Sequence, residues 1–434
     1  MPRAVAEAES AYHTLAMTPQ FLLRAEYENM LACVRCGQCL TSCPTYVLTM
    51  DEAEGPRGRI AMARALADGQ LELTPDLLQH EMNCLVCDAC TAVCPAGVHM
   101  DPIQVVLRQA IGAPATRSLP ARLGFGMLTD LGRLRLAIRL LALYQRSGLQ
   151  RLVRVSGLLR PLGLAEAEAM LPERVSASPL VPDGRTVPAD PPATGRVAFF
   201  AGCVMSTALA ELDRATIRVL GRSGCDVALT RGQGCCGALH AHAGDLATAR
   251  DMFRRNVAAF EGSAEPVVSS AAGCSAMLKD YAHHLRDDPE WAERAAAFSA
   301  RVVDATELLA ARELPFRRRL DAPVVYQDAC HLAHAQRVTA QPRALLKGIP
   351  GLELREMAEP GLCCGSAGVY NLTNPTQSRQ LQARKVERVL ATGARIVATA
   401  NPGCLLQLRA GLEERGSRVE VRHVVELLDE ATAP

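Results

Sequence analysis

The sequence "CVRCGQCLTSCP" at residues 33–44 contains four cysteines and ends in Cys-Pro. A second segment, "CLVCDACTAVCP" at residues 84–95, repeats the same spacing of two, two and three intervening residues and the same ending. A looping chain can turn cysteines at this spacing inward, and thiolates are ligands for soft metals. The two segments together therefore predict a metal-binding module.

The spacing also distinguishes between metals. Zinc sites usually use two separated Cys-x-x-Cys pairs, whereas a doubled C-x2-C-x2-C-x3-C-P run is typical of bacterial ferredoxins with two clusters. The pattern favours iron–sulfur clusters over zinc, and over disulfides. In that pattern the fourth cysteine of each run binds the other cluster. The sequence thus predicts two 4Fe-4S clusters, one on Cys33, Cys36, Cys39 and Cys94 and one on Cys84, Cys87, Cys90 and Cys43.

Composition restricts the class of protein. The 434 residues are 49% hydrophobic, which is typical of a globular protein of several domains. A net charge of +1 gives no electrostatic argument for a nucleic-acid partner. The N-terminus lacks the apolar segment of a secretory signal, and no apolar run approaches the roughly 18 residues of a membrane span. Seventeen cysteines without an export signal indicate metal ligation in a reducing compartment, so a cytoplasmic location is expected.

Helical periodicity surrounds both cysteine runs. The segments "GPRGRIAMARALADGQL" and "DPIQVVLRQAIG" carry apolar residues at intervals of three and four, and strand signals are absent. We therefore expect an all-α helical ferredoxin module over residues 1–112. Arg57 and Arg59 either neutralise anionic clusters or lie on the surface as solvated charges, and the sequence does not decide between these roles.

Residues 113–194 are expected to form an amphipathic helical segment followed by a Pro-rich linker. Residues 121–160 contain eight arginines and one acid, with Arg135, Arg139 and Arg146 on one helical stripe and leucines over most of the rest. Packing on this protein or on a partner subunit is the favoured interpretation. Peripheral contact with an anionic membrane surface is the alternative. Pro, Gly, Ser and Asp then mark the linker, which ends near Gly195.

The second half of the chain is a duplication. "RVAFFAGCVMS" is echoed by "PVVYQDACHLAH", "GQGCCGALHAHAG" by "EPGLCCGSAGVYN", and "EPVVSSAAGCSAML" by "ARIVATANPGCLLQL", at nearly constant offset. Each copy alternates strand and helix, which predicts two tandem α/β cysteine-rich domains with small parallel sheets, at residues 195–318 and 319–434. Because ligands gather at the carboxyl ends of such strands, we expect the two cysteine sets to meet at one edge.

Each copy contributes four cysteines to a candidate metal site. Adjacent cysteines beside a glycine, found twice, are hard to explain by packing, so metal ligation is predicted in at least one copy. Cys225 has no counterpart and is expected to be a buried apolar residue. His331 and His334 either ligate or move protons, or have a hydrogen-bonding role, which we favour. The two sets are Cys203, Cys235, Cys236 and Cys274, and Cys330, Cys363, Cys364 and Cys404.

Over nearly its whole length the chain resembles the iron–sulfur subunit of glycolate oxidase (glycolate dehydrogenase). The resemblance rests on the doubled cysteine run, "GPRGRI" at 55–60, both Cys-Cys-Gly segments, "ACHLAHAQ" at 329–336 and "NPGCLLQL" at 401–408. It implies a hetero-oligomer in which an FAD-containing subunit oxidises a 2-hydroxy acid and this chain passes the electrons towards membrane quinone. It also implies an oxidoreductase subunit with no catalytic residue of its own, cytoplasmic or peripheral on the inner face of the membrane.

The Cys-Cys-Gly halves are less specific, and two alternatives stay open. They also resemble the iron–sulfur subunit of anaerobic glycerol-3-phosphate dehydrogenase and the thiol/disulfide chemistry of heterodisulfide reductase. In the latter family each module ends in Cys-x-x-Cys, whereas Met277 and Gln407 stand at the last position here. An ordinary cluster is therefore expected. Pro402 restricts the approach of Cys404, so we predict a third cluster in the Cys330 set, with the Cys203 set empty or holding another metal.

Overall fold

The computed structural model describes residues 18–112, 117–157, 159, 161, 168, 174–190 and 192–434. Contacts divide the chain into two compact units: residues up to Arg122 together with Ala238–Ala249, and Leu123–Gly237 together with Arg250–Pro434. The α-helices, numbered α1 to α21, are Pro19–Leu23, Tyr27–Leu31, Pro44–Thr49, Pro56–Ala67, Pro75–Met82, Ala89–Ala92, Met100–Ala110, Leu119–Leu128, Leu131–Arg146, Leu149–Ser156, Ala210–Arg222, Ala238–His242, Leu246–Phe260, Ala272–His284, Ala292–Ser299, Ala305–Ala310, Ala340–Gly348, Tyr370–Thr373, Pro375–Leu390, Pro402–Glu414 and Val424–Thr432. The strands β1 to β9 are Thr186–Val187, Gly195–Phe199, Cys225–Ala228, Val267–Ser269, Val302–Asp304, Pro323–Tyr326, Glu353–Arg355, Ile396–Thr399 and Glu420–His423.

The first unit is helical throughout its described residues. The two helices predicted around the cysteine runs are α4 and α7. Proline occupies the first turn of α3, α4 and α5, where its missing N–H group costs no hydrogen bond. The buried faces of these helices form one apolar core, which includes Leu23, Ile60, Leu66, Ile103 and Leu107. This core holds the two cysteine runs on its surface loops.

The second unit contains two sheets of matching topology. The first has the strand order β1-β3-β2-β4-β5 and the second β7-β6-β8-β9. All pairs are parallel except β1 with β3. The predicted duplication and the parallel sheets are therefore confirmed. Each copy also has a fourth parallel strand, β5 or β9, that the sequence analysis did not identify.

The segment predicted as a linker is partly built into the first sheet. Thr186 and Val187 pair antiparallel with the edge of β3, and Leu180 is buried in the shared apolar core. Gly184 and Leu229 extend the pairing through a backbone hydrogen bond of 2.8 Å. Two residues of this segment therefore form an edge strand, because the exposed edge of β3 offers backbone groups that the segment satisfies.

The two copies share one apolar core within the second unit. Residues of β2 and β6, among them Val197, Phe199, Val324 and Tyr326, belong to the same buried cluster. An ion pair reinforces the packing of α11 on α21: Asp429 accepts hydrogen bonds from Arg218 at 2.6 Å and from Arg222 at 2.8 Å.

No helix among the described residues is long and apolar enough to cross a membrane.

Candidate metal centres

The two ferredoxin-type runs share an unusual backbone conformation. Arg35 and Gly37 flank the second cysteine of the first run, and Val86 and Asp88 flank that of the second run; all four have positive φ. A β-branched residue such as Val86, at φ 49°, rarely adopts this conformation. Strain of this kind persists where the surrounding structure requires it, which is common at functional sites. In both runs the positive φ values turn the backbone so that successive thiols face the inside of the loop.

The first thiol set lines one pocket. Cys33, Cys36 and Cys39 surround it together with Cys94 from the second run, and Cys90 also reaches its wall. Burial raises the pKa of the Cys39 thiol to about 11, which disfavours a thiolate without a cation beside it. The chain thus brings together the four cysteines that the spacing assigns to the first cluster.

The second thiol set lies deeper in the helical core. Cys43 and Cys87 are buried, at 7% and 8% exposure. The thiols of Cys43, Cys84 and Cys90 are close enough to influence one another electrostatically. The Cys84 thiol accepts a 3.4 Å hydrogen bond from the Val86 amide, as the Cys94 thiol does from Val98. Backbone amides directed at sulfur stabilise the thiolate form that a cluster requires.

Arg59 is a buried cation beside the second thiol set. It is 1% exposed and pairs with Glu54 at 2.6 Å. It also donates at 3.0 Å to the hydroxyl of Thr45, which lies 3.2 Å from the Cys43 thiol. The surface interpretation is therefore wrong for Arg59, because the network through Glu54 satisfies its charge in the interior. Arg57 is half-buried and pairs with Glu52 at 2.7 Å.

A second buried charge network was not identified from the sequence. Arg108 donates to the Cys84 carbonyl at 2.5 Å, and Gln104 donates to Glu81 at 2.9 Å. Glu81 is fully buried, and this burial raises the pKa of its carboxyl group to about 7. Helical spacing could have revealed the network, since Glu81, Gln104 and Arg108 occupy the apolar faces of α5 and α7.

The backbone conformation explains why a glycine follows the two cysteines in each Cys-Cys-Gly loop. Gly237 has φ 80° and Gly365 has φ 86°, in the left-handed region that favours glycine. A Cβ atom on Gly365 would also lie 2.6 Å from the Ser378 carbonyl oxygen. The loop therefore turns sharply just after the paired cysteines and presents both thiols to the same side.

The four thiols of the first copy form a contiguous chain. Cys203 lies close enough to Cys235 to interact with it, as Cys235 does with Cys236 and Cys236 with Cys274. The neighbouring Cys235 thiol, together with burial, raises the pKa of the Cys203 thiol well above its usual value. The four thiols of the first copy are therefore brought together in a buried part of the protein.

Two polar side chains fix the loop of the first copy. Asn256 donates to the Cys235 carbonyl at 2.9 Å, and the Tyr281 hydroxyl donates to the Cys236 carbonyl at 2.8 Å. His242 follows this loop in the sequence but belongs to the first unit, where its Nε2 lies 3.1 Å from the carboxyl group of Asp101.

The second copy repeats the chain of thiols and adds cationic groups. Cys330 contacts Cys363, Cys363 contacts Cys364, and Cys364 contacts Cys404. The neighbouring Cys363 thiol and the charge of His331, whose Nδ1 lies 3.7 Å from the Cys330 sulfur, lower the pKa of Cys330. Neighbouring thiols and burial raise the pKa of Cys363 and of Cys404.

The remaining basic groups of the second copy hold its loop. Lys385 is fully buried and donates to the Glu359 carbonyl at 2.6 Å, and its charge acts on Cys363 and Cys364. His334 has the hydrogen-bonding role that we favoured: its Nε2 lies 2.8 Å from the Gly361 carbonyl oxygen, so it donates there. The sequence analysis missed Lys385. The chain contains only three lysines, and the position of one of them in a helix next to the Cys-Cys-Gly loop is a usable signal.

The carboxyl ends of β4 and β8, which belong to the two different sheets, lie next to each other. The amide of Ala272 donates to the Ala400 carbonyl at 3.2 Å, which joins the ends of β4 and β8. Asn401 accepts from the Gly273 amide at 3.1 Å and donates to the Cys404 sulfur at 3.7 Å. Cys225 lies apart from both sets, fully buried in the shared core, as expected for an apolar residue.

The donor sets fit iron–sulfur clusters. All seventeen cysteines are free thiols, and sixteen of them fall into the four sets described above. Soft thiolate donors in closed sets of four suit iron–sulfur clusters and zinc. The interleaving of Cys94 with the first run is a feature of the two-cluster pattern and not of paired zinc ligands.

Comparison with known families agrees with this division of the chain. Residues 32–98 match the family described as "4Fe-4S dicluster domain". Residues 197–279 and 324–409 each match "Cysteine-rich domain". Residues 117–171 match "Glycolate oxidase iron-sulfur subunit, linker region".

Two relatives align with this chain over nearly its whole length, and a third aligns with about half of it. The chain is 41% identical over 428 residues to the "Probable glycolate oxidase iron-sulfur subunit" of Bacillus subtilis (strain 168), covering 95% of this chain and 96% of that protein. It is 34% identical over 409 residues to the "Glycolate oxidase iron-sulfur subunit" of Escherichia coli (strain K12), covering 92% and 93%. "Lactate utilization protein A" of Bacillus licheniformis is 30% identical and matches over 54% of this chain and 99% of its own length. These matches place the chain in the family of glycolate oxidase iron–sulfur subunits.

Proposed function

We propose that this protein is the electron-transfer subunit of a complex that oxidises glycolate or a similar 2-hydroxy acid. The observation that carries the proposal is the helical module, in which two interleaved cysteine runs create two thiol sets side by side. When bound, 4Fe-4S clusters supply one-electron redox chemistry. Cys33, Cys36, Cys39 and Cys94 would hold one cluster, and Cys84, Cys87, Cys90 and Cys43 the other.

The residues around the sets have supporting roles. The left-handed turns at Arg35 and Val86 direct the thiols inward, and the amides of Val86 and Val98 donate to sulfur. Arg59 places a positive charge beside Cys43 and Cys84 in a region that excludes water. Low polarity strengthens such charge interactions, so this residue favours the more negative, reduced state of the second cluster.

Substrate oxidation is assigned to a partner subunit. The sequence contains no G-x-G-x-x-G fingerprint at a strand-to-helix turn, and its distinctive residues are thiols and their neighbours. We therefore infer a FAD-containing dehydrogenase subunit as electron donor. Membrane quinone is the inferred acceptor, which would place the protein in the cytoplasm, peripheral on the inner face of the membrane.

The second copy of the cysteine-rich domain is the better candidate for a third cluster. Its thiols lie near His331 and Lys385, whose positive charges offset the charge of thiolate ligands. In the first copy the charged groups that act most on the thiols are other cysteines and the Asp213 carboxyl group, which do not offset thiolate charge. We propose that Cys330, Cys363, Cys364 and Cys404 hold this cluster, and that the Cys203 set is empty or holds another metal.

Reduction of the purified complex tests the function. With the flavoprotein partner present, glycolate should bleach the iron–sulfur absorbance, and without that partner glycolate should leave it unchanged. If glycerol 3-phosphate reduces the clusters of the complex and glycolate does not, the substrate is glycerol 3-phosphate, as in the anaerobic glycerol-3-phosphate dehydrogenase family. If an added disulfide oxidises the reduced clusters of the isolated subunit, the alternative function of a thiol/disulfide reductase is favoured. Zinc without iron and acid-labile sulfide would overturn electron transfer altogether.

A further inference from the structure

Exposed apolar side chains are concentrated in one stretch of the second unit. Among the described residues eighteen large apolar side chains are exposed, and eight of them lie between residues 123 and 155. Proteins rarely expose contiguous apolar surface unless something binds it. The eight residues are Leu123, Met127, Leu136, Leu140, Leu143, Leu149, Leu152 and Val155.

On α9 these side chains lie opposite the packed face. Ala142 is buried, with Ile138 and Leu141 packed around it in a cluster of the second unit. Leu136, Leu140 and Leu143 are 59%, 60% and 64% exposed and occupy an arc of about 60° at 3.6 residues per turn. The described residues of this unit therefore bury one side of α9 and leave a leucine stripe uncovered on the other.

Arginines border the leucine stripe on both sides. Arg139 and Arg146 lie along one edge and Arg133 along the other, and all three are exposed. Arg133 lies near Asp130, 3.5 Å away, whereas no carboxylate in the described parts of the chain pairs with Arg139 or Arg146. Asp130 is the one acid in residues 121–160, so this surface is strongly cationic.

The next helix continues the surface. Leu152 and Val155 of α10 are 65% and 82% exposed, and none of the described residues of α10 is buried. Arg151 on the same helix is exposed. Two short helices in succession thus present aliphatic side chains next to arginines.

We propose that α9 and α10 bind an anionic lipid surface, lying in its plane. The leucines and Val155 would enter the boundary between headgroups and acyl chains, and Arg139 and Arg146 would contact lipid phosphates. An apolar face of leucines and valine bordered by arginines, with one acid in the whole stretch, matches helices that lie in the plane of an anionic lipid surface. The proposal goes beyond electron transfer and can fail separately from it, because vesicle binding requires no redox partner.

Flotation of the full-length, cluster-containing protein with vesicles tests the proposal. Vesicles of phosphatidylcholine alone are compared with vesicles that also contain phosphatidylglycerol. We expect binding to the anionic vesicles that weakens as salt is raised, because exposed charges are screened. The variant Arg139→Gln/Arg146→Gln should bind about 25-fold more weakly, at about fivefold per arginine. The variant Leu136→Gln/Leu140→Gln/Leu143→Gln should lose at least about tenfold.

Matched controls use exposed residues of the same unit. Leu372 is 54% exposed and the Arg319 side chain 69% exposed, so Leu372→Gln and Arg319→Gln should bind like the wild type. Unchanged iron content in every variant verifies folding. Equal binding to both kinds of vesicle, or full binding by the leucine variant, would overturn the proposal. The proposal is also overturned if the wild-type protein does not bind vesicles. If the leucine variant in addition fails to co-purify with the flavoprotein partner, the surface is a protein interface.

Discussion

Arg59 and Cys43 are linked through the hydroxyl of Thr45, which accepts from the guanidinium at 3.0 Å and lies 3.2 Å from the sulfur. This places a buried positive charge next to a proposed ligand of the second cluster. Reduction adds negative charge to a cluster, so a nearby cation raises its reduction potential.

Arg59→Gln should therefore lower the potential of the second cluster and leave that of the first nearly unchanged. Redox titration followed by electron paramagnetic resonance separates the two clusters. The variant should also be destabilised by about 3 kcal/mol, because Glu54 loses the partner of a buried ion pair. Arg57→Gln is the complementary variant: Arg57 lines the pocket of the first thiol set, so its loss should lower the potential of the first cluster and leave that of the second nearly unchanged. A potential that does not move in Arg59→Gln would show that the charge is fully compensated by Glu54.

Single-cysteine variants of the two runs should each remove one cluster. Cys36→Ser should remove the cluster of the first set and Cys87→Ser that of the second, with weakened folding of the helical module in both cases because each cluster connects both runs. Iron and acid-labile sulfide are measured per chain. Cys225→Ala is the control and should keep its full iron content, since Cys225 lies in the apolar core. Two intact clusters in Cys36→Ser would contradict the ligand assignment.

The third cluster is tested by comparing equivalent residues of the two copies. Cys363→Ser should lose iron relative to the wild type, whereas Cys235→Ser should retain it. This difference is expected because the positive charges of His331 and Lys385 lie near the thiols of the second set and offset the charge of thiolate ligands. The reverse result would move the cluster to the first copy, and loss in both variants would indicate two occupied sites.

Gly365→Ala should disrupt the loop of the second copy. The added Cβ would meet the Ser378 carbonyl oxygen at 2.6 Å, and the φ of 86° is unfavourable for alanine. Gly416→Ala is the control, because Gly416 has φ 62° but no atom within 4 Å of the added Cβ, so only the backbone penalty of about 1 kcal/mol applies. Urea unfolding should show a clearly larger loss of stability for Gly365→Ala. Similar losses in both variants would mean that the loop adapts to the clash.

The parts of the structure predictable from sequence are those with a repeating signal. The cysteine spacing, the periodicity of α4 and α7 and the offset between the two copies each have many matching positions, so they predict the domain types well. β1 and β5 have two and three residues and depend on pairing with distant strands, which no local pattern reveals. The sequence left the role of Arg59 open, because it does not show that Glu54 and Thr45 satisfy this charge in the interior. The buried position of Glu81 was missed, although its place on the apolar face of α5 was a usable signal.

The shared core of the two cysteine-rich copies has a thermodynamic consequence. Val197 and Val324 belong to one apolar cluster, and Asp429 of the second copy holds Arg218 and Arg222 of the first. Neither copy can unfold without exposing apolar surface of the other. Calorimetry should therefore record one cooperative melting transition for the duplicated half, although its sequence consists of two repeats.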